Sequence, residues 1–127
     1  MPQSQPTHRV LAVVDDLMFT VKINEAAKRA DLPIKFVKTY DDAIVKSKEQ
    51  PALIVIDLNC RALDGVQLIR DLKASEETRA IPLIGYLSHV QADLIKAARE
   101  AGCDTVMPRS AFSMKVQEIF AQLNVEH

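Results

Sequence analysis

Apolar residues fall along the chain in short unbroken runs, separated by longer stretches in which they recur every three or four positions. The most marked run, residues 52–56 (ALIVI), has no polar alternation, is rich in β-branched residues and ends on a single acid, Asp57. It reads as a parallel strand covered on both faces. Ligands of open α/β sheets gather outside the carboxyl ends of such strands, so Asp57 stands where this architecture does its chemistry. Residues 9–14 repeat the pattern and end on Asp15 and Asp16. Phe19, Ile23, Ala26, Ala27 and Ala30 then follow at helical spacing, with Lys22, Glu25, Lys28 and Arg29 on the other side. Residues 34–37 are half-polar, as expected of a strand near a sheet edge. Thr39 to Asp42 offers an N-terminal capping pattern for a helix through Lys48, and Pro51 ends that unit.

Beyond the central strand, Gly65 opens a helix with apolar positions Val66, Leu68, Ile69 and Leu72; the polar run 74–79 closes it, and its charged part, 75–79, reads as a solvated helix end. Residues 81–87 (IPLIGYL) form a fourth strand, and Ser88 to Gln91 has the S-x-x-Q form of a capping box. The next helix carries Leu94, Ala97, Ala98 and Ala101 on one face and stops at Gly102. Residues 104–107 are a fifth strand, and Val116, Ile119, Phe120 and Leu123 mark a last amphipathic helix. Strand and helix alternate throughout, with short connections and no internal repeat. The expectation is one doubly wound α/β domain over residues 9–123, a disordered leader at 1–8 and a C-terminal tail at 124–127.

Composition narrows the picture. The 127 residues suit one domain, and 16 basic against 17 acidic residues leave no excess charge to recruit a nucleic acid. Cys60 and Cys103 have no CxxC or Cys/His spacing, which argues against zinc or a disulfide framework and for a reducing cytoplasm. The leader lacks the basic start and apolar core of a secretory signal, and no apolar stretch approaches the ~18 residues that span a bilayer. No membrane partner is expected.

Asp15, Asp16 and Asp57 end strands one and three, which places them on one edge of a parallel sheet. Like charges so close repel unless a proton or cation intervenes, and oxygen ligands without His or Cys favour Mg²⁺ over zinc. Magnesium prefers substrates that bring phosphate oxygens, so phosphoryl transfer is the natural reaction, with an aspartate as nucleophile.

The series VLAVVDD, IVIDLNCRALDG, IPLIGYLS and AAREAGCDTVMPR resembles, in order and spacing, the receiver domain of two-component response regulators over nearly the whole chain. The resemblance implies a flavodoxin-like five-stranded sheet, order 2-1-3-4-5, with five helices. It implies that Asp57 accepts a phosphoryl group from a histidine kinase or phosphotransfer protein. Asp16 would bind Mg²⁺ directly and Asp15 through water, with Asp57 and the backbone carbonyl of Asn59 completing the metal shell. Gly65 matches the family glycine that opens the third helix.

The output half of the pattern departs from the family. Its Thr or Ser at the end of strand four falls on Leu87, and Ser88 is one residue late. A bulge at Gly85 would let Ser88 contact the phosphoryl group; otherwise Ser88 caps the following helix. Arg109 replaces the family lysine with a planar, permanently charged fork. Pro108 precedes it and Ser110 follows it, in place of the family's proline; the Arg109–Ser110 bond is expected trans and the loop rearranged. Val106 stands where a switch aromatic is common.

Of the remaining polar residues, His89 reads as an exposed residue of a helix's first turn, Asp64 as a turn residue, and Cys60 and Cys103 as apolar fillers; Tyr86 packs between sheet and helix. The leading reading is a single-domain, non-enzymatic receiver that signals through an unknown downstream protein. A homodimer through the strand 4 to helix 5 surface is compatible with it. The alternative is a pseudo-receiver, a binding module of the same fold not regulated by phosphorylation. An aspartyl-nucleophile phosphatase lacks its Asp-x-Asp and substrate cap, and a flavin domain lacks a phosphate-cradling loop after strand one.

Overall fold

A computed structural model of the chain describes residues 9–89 and 91–125. Residues 1–8, expected as the leader, and the last two of the expected tail lie outside them. The elements alternate as β1 (Val10–Val13), α1 (Leu17–Arg29), β2 (Ile34–Val37), α2 (Tyr40–Ser47), β3 (Leu53–Asp57), α3 (Gly65–Ala74), β4 (Leu83–Leu87), α4 (Ala92–Ala101), β5 (Thr105–Pro108) and α5 (Arg109–Val125). The strands are all parallel, in the order β2-β1-β3-β4-β5.

The unbroken apolar runs are explained by the two helical layers. Successive side chains on a strand point to opposite faces. Val10, Ala12, Leu53, Val55, Ile84 and Tyr86 therefore pack against α1 and α5, through Phe19, Ile23, Phe112, Val116 and Phe120. Leu11, Val13, Ile54, Ile56, Leu83 and Leu87 face α2, α3 and α4, through Ala43, Leu68, Ile69, Leu72 and Ala98. Both faces of β1, β3 and β4 are buried, whereas β2, at the sheet edge, is half-exposed as its polar composition requires.

Caps fix most of the helix starts. Asp16, Thr39 and Asp64 accept the backbone N–H groups of Phe19, Asp42 and Gln67, each at 3.1 Å. Asp64 is thus a helix cap and not merely a turn residue. Gly102 ends α4 at φ 112°, where a side chain would be strained and its Cβ would lie 2.8 Å from Lys73 Cγ.

Four local expectations are corrected. The S-x-x-Q segment is no capping box: α4 begins at Ala92 and Gln91, its N-cap, makes no side-chain cap bond. No bulge occurs at Gly85, which keeps regular register between Ile56 and Val106. Gly85 instead permits close packing, since a Cβ there would lie 3.1 Å from Leu58 and 3.3 Å from Cys103 Sγ. The run after α3 is not wholly solvated: Thr78 is buried and its hydroxyl donates to the Leu72 carbonyl at 2.6 Å. The connection after β5 disappears, because Pro108 ends the strand and Arg109 begins α5. No cis peptide bond occurs among the described residues, in keeping with a trans Arg109–Ser110 bond.

Candidate functional site

The strand ends bring Asp15, Asp16, Asp57 and Asn59 to one cleft of about 450 Å³, whose rim adds Arg61, Ser88, His89 and Gln91. Asp57 lies on its floor, only 6 % exposed, while Asp15 is exposed and Asp16 intermediate. Burial pushes the Asp57 carboxyl above its ordinary range, the neighbouring charges of Asp15 and Asp16 push it further, and the Asn59 N–H and Arg109 pull against them. The Asn59 N–H donates to Asp57 Oδ1 at 2.8 Å.

Asp16 is doubly engaged. Its Oδ1 caps α1, and its Oδ2 lies 2.9 Å from Nη1 of Arg109, whose guanidinium also sits 5.2 Å above the Phe19 ring. Arg109 therefore stands beside the acids, as the family lysine would, but pairs with the residue expected to hold a metal. The Cys60 thiol is buried and raised above its ordinary range chiefly by that burial, with the nearby Asp15 and Asp57 carboxylates adding to the shift.

The Asn59 side chain contributes more than the carbonyl expected of it. Its Oδ1 accepts the Ser88 N–H at 2.6 Å and its Nδ2 donates to Gln91 Oε1 at 2.8 Å, tying the loop after β3 to the loop after β4. These bonds hold Ser88 exposed at the rim, away from any capping position. Leu87 is buried to 1 % and turned into the α3/α4 layer, so the last residue of β4 brings no hydroxyl to Asp57. His89 is exposed on the rim, ahead of α4 and not within its first turn.

The donor set fits Mg²⁺ in kind, being entirely oxygen and crowded with like charge. Among the described residues, however, no three His, Cys, Asp or Glu side chains are gathered closely enough to hold a metal ion. Positive charge comes from Arg61 on the rim and from Arg109, which pairs with Asp16 beside the cleft.

Sequence reasoning did not anticipate three features: the Arg109–Asp16 pair, the Asn59 bridge, and the Tyr86 hydroxyl. Tyr86 neighbours Asp57 across the β3–β4 register, and its hydroxyl is buried without a hydrogen-bond partner. The alternation of IPLIGYL, which puts Tyr86 and Leu87 on opposite faces, was the available signal for the last.

Comparison of the sequence with protein-family models and with curated proteins gives no match. Comparison of the fold gives many. A response regulator from Hahella chejuensis aligns at TM-score 0.80 with 21% identity, over 91% of this chain and 93% of that one. The receiver domain of the sensor histidine kinase PA1611 from Pseudomonas aeruginosa PAO1, with a magnesium ion coordinated in its active-site cleft, aligns at 0.79 with 18% identity, over 94% and 98%. The phosphorylated cyanobacterial phytochrome response regulator RcpA aligns at 0.75 with 20% identity, over 91% and 90%. The chain thus has the flavodoxin-like fold of response regulator receiver domains, with the expected strand order and five helices. No helix among the described residues is long and apolar enough to cross a membrane.

Proposed function

We propose that the chain is a cytoplasmic receiver module of two-component signalling whose Asp57 accepts a phosphoryl group from a phosphohistidine. The observation that carries this reading is a buried aspartate on the floor of an acid-lined cleft, with its carboxyl raised by burial and by Asp15 and Asp16. Oδ1 accepts the Asn59 N–H, which orients the carboxylate and leaves Oδ2 to attack phosphorus. The new O–P bond forms as the donor's N–P bond breaks, and the departing imidazole takes a proton from solvent. Arg109, paired with Asp16 beside the cleft, offers positive charge to the phosphoryl group that arrives.

Asp15, Asp16, Asp57 and the Asn59 carbonyl are the groups that would hold Mg²⁺. When bound, the ion neutralises the acids and the phosphoryl oxygens. Asp16 would serve the ion with its Oδ2 released from Arg109. The donor is a histidine kinase or phosphotransfer protein, and output passes through protein contacts, not through an enzymatic activity of this chain.

Amide NMR during titration with Mg²⁺ and beryllofluoride, a mimic of the aspartyl phosphate, tests the reading. Saturable shifts at Asn59 and Ser88 that vanish in Asp57→Asn are expected. A silent wild-type spectrum would reject the phosphoacceptor and leave a pseudo-receiver read by its partners in one state.

A further inference from the structure

Among the described residues Tyr86 is the largest fully buried side chain, and its hydroxyl is the sole buried side-chain polar atom with no hydrogen-bond partner. A buried hydroxyl left unpaired is costly, and natural proteins seldom keep one without a use. Its position indicates the use. Tyr86 is the register neighbour of Asp57, and alternation puts both side chains on the α1/α5 face of the sheet. The charges of Asp57, Asp16 and Arg109 all act on the hydroxyl. Burial and the carboxylates of Asp57 and Asp16 keep it protonated, with Arg109 pulling the other way, so toward those anions the hydroxyl is a donor.

The ring is equally placed to respond. It stacks on Phe112 of α5 at 5.3 Å and 7°, and tilts against Phe19 of α1 at 5.0 Å. Phe19 in turn carries the Arg109 guanidinium. In a close-packed interior a small movement of one such ring is taken up by its neighbours. The opposite face has no such device, since Leu87 and Val106 there are aliphatic and pack into the α3/α4 layer.

We propose that Tyr86 supplies the hydroxyl donor of this site, binding the phosphoryl group carried by Asp57, and that its stack on Phe112 passes occupancy of the cleft to α5. The hydroxyl that the end of β4 lacks is thereby provided one residue earlier, from the other face of the strand. The surface that changes is then that of α1 and α5. This inference rests on Asp57 being the phosphoacceptor.

The test compares wild type, Tyr86→Phe and Asp57→Asn in the same Mg²⁺ and beryllofluoride titration, with amide NMR and thermal melts. Tyr86→Phe should bind about tenfold more weakly, the worth of one hydrogen bond to a charged group. It should keep shifts at Asn59 and Ser88, lose those at Phe112 and along α5, and melt no lower than wild type. Equal affinity with unchanged α5 shifts would overturn the inference while leaving Asp57 as acceptor. A lower melting temperature would assign the hydroxyl to the fold and overturn it too. Silence in the wild type would remove the phosphoacceptor reading and this inference with it.

Discussion

Arg109 and Asp16 set the terms on which any cation enters the cleft. Their contact at 2.9 Å joins side chains that are 41% and 36% exposed, so water and salt screen much of the attraction. A pair of this kind is worth about 0.5–1 kcal/mol, which corresponds to roughly a two- to fivefold change in an affinity it opposes. Arg109→Gln should therefore bind Mg²⁺ about two- to fivefold more tightly than wild type, by isothermal titration or by amide shifts at Asp15 and Asp16. Arg109→Lys, which keeps the charge, should change it less. An unaltered affinity in Arg109→Gln would mean that the guanidinium does not compete for Asp16. The acids themselves were legible from sequence, because each ends an apolar run and strand ends of a parallel sheet share an edge. Arg109 was legible too, as the cation in place of the family lysine, but its pairing with Asp16 was not, since the pair joins residues 93 positions apart and Arg109 follows β5 with no loop between.

Between elements, single side chains do much of the joining. Lys73 near the end of α3 donates to the carbonyls of Arg79 and Ile81 and pairs with Asp104, which also accepts the Leu83 N–H. Tyr40 at the start of α2 donates to Asp71 of α3, and that bond, with burial and the charges of Asp71 and Asp41, pushes its hydroxyl from 10.0 up to about 12. Between those values the folded chain keeps a proton that the unfolded chain has lost, so this group's contribution to stability falls as pH rises from 10 to about 12. Tyr40→Phe should show a shallower loss of stability across that range, read from urea midpoints, with one fewer late-titrating phenol by absorbance. An identical slope would discount the α2–α3 bond; Tyr86, also raised, adds its own slope equally to both proteins. The elements were readable because period and apolar run length are local signals. The Ser88–Gln91 segment misled because its N–H partner, Asn59, comes from another loop and overrides a locally favourable cap. Nothing in residues 88–91 alone records that contact.

For the molecule as a whole, the proposed function requires a phosphohistidine to be delivered to a buried carboxylate, so the surface beside the cleft matters as much as its floor. Asp16 and Ser88 line both the acid cleft and an adjoining groove of about 820 Å³, bordered by Met18, Lys22, Pro108, Arg109 and Ser113. Of the five large apolar side chains exposed among the described residues, Leu17, Met18, Val21 and Met114 lie on α1 and α5, and Val45 lies on α2. Apolar groups concentrated beside a reaction site offer a protein donor a contact that a small molecule does not need. Met18, 83% exposed, is the central test. Met18→Asp should slow transfer from a phosphorylated histidine phosphotransfer domain by about tenfold, the scale of one buried interface side chain. It should leave phosphorylation by acetyl phosphate and the melting temperature as they were, and Val45→Asp should leave all three unchanged. Equal slowing with both donors would place Met18 in the chemistry of the cleft, and no slowing with either would move donor docking to another face.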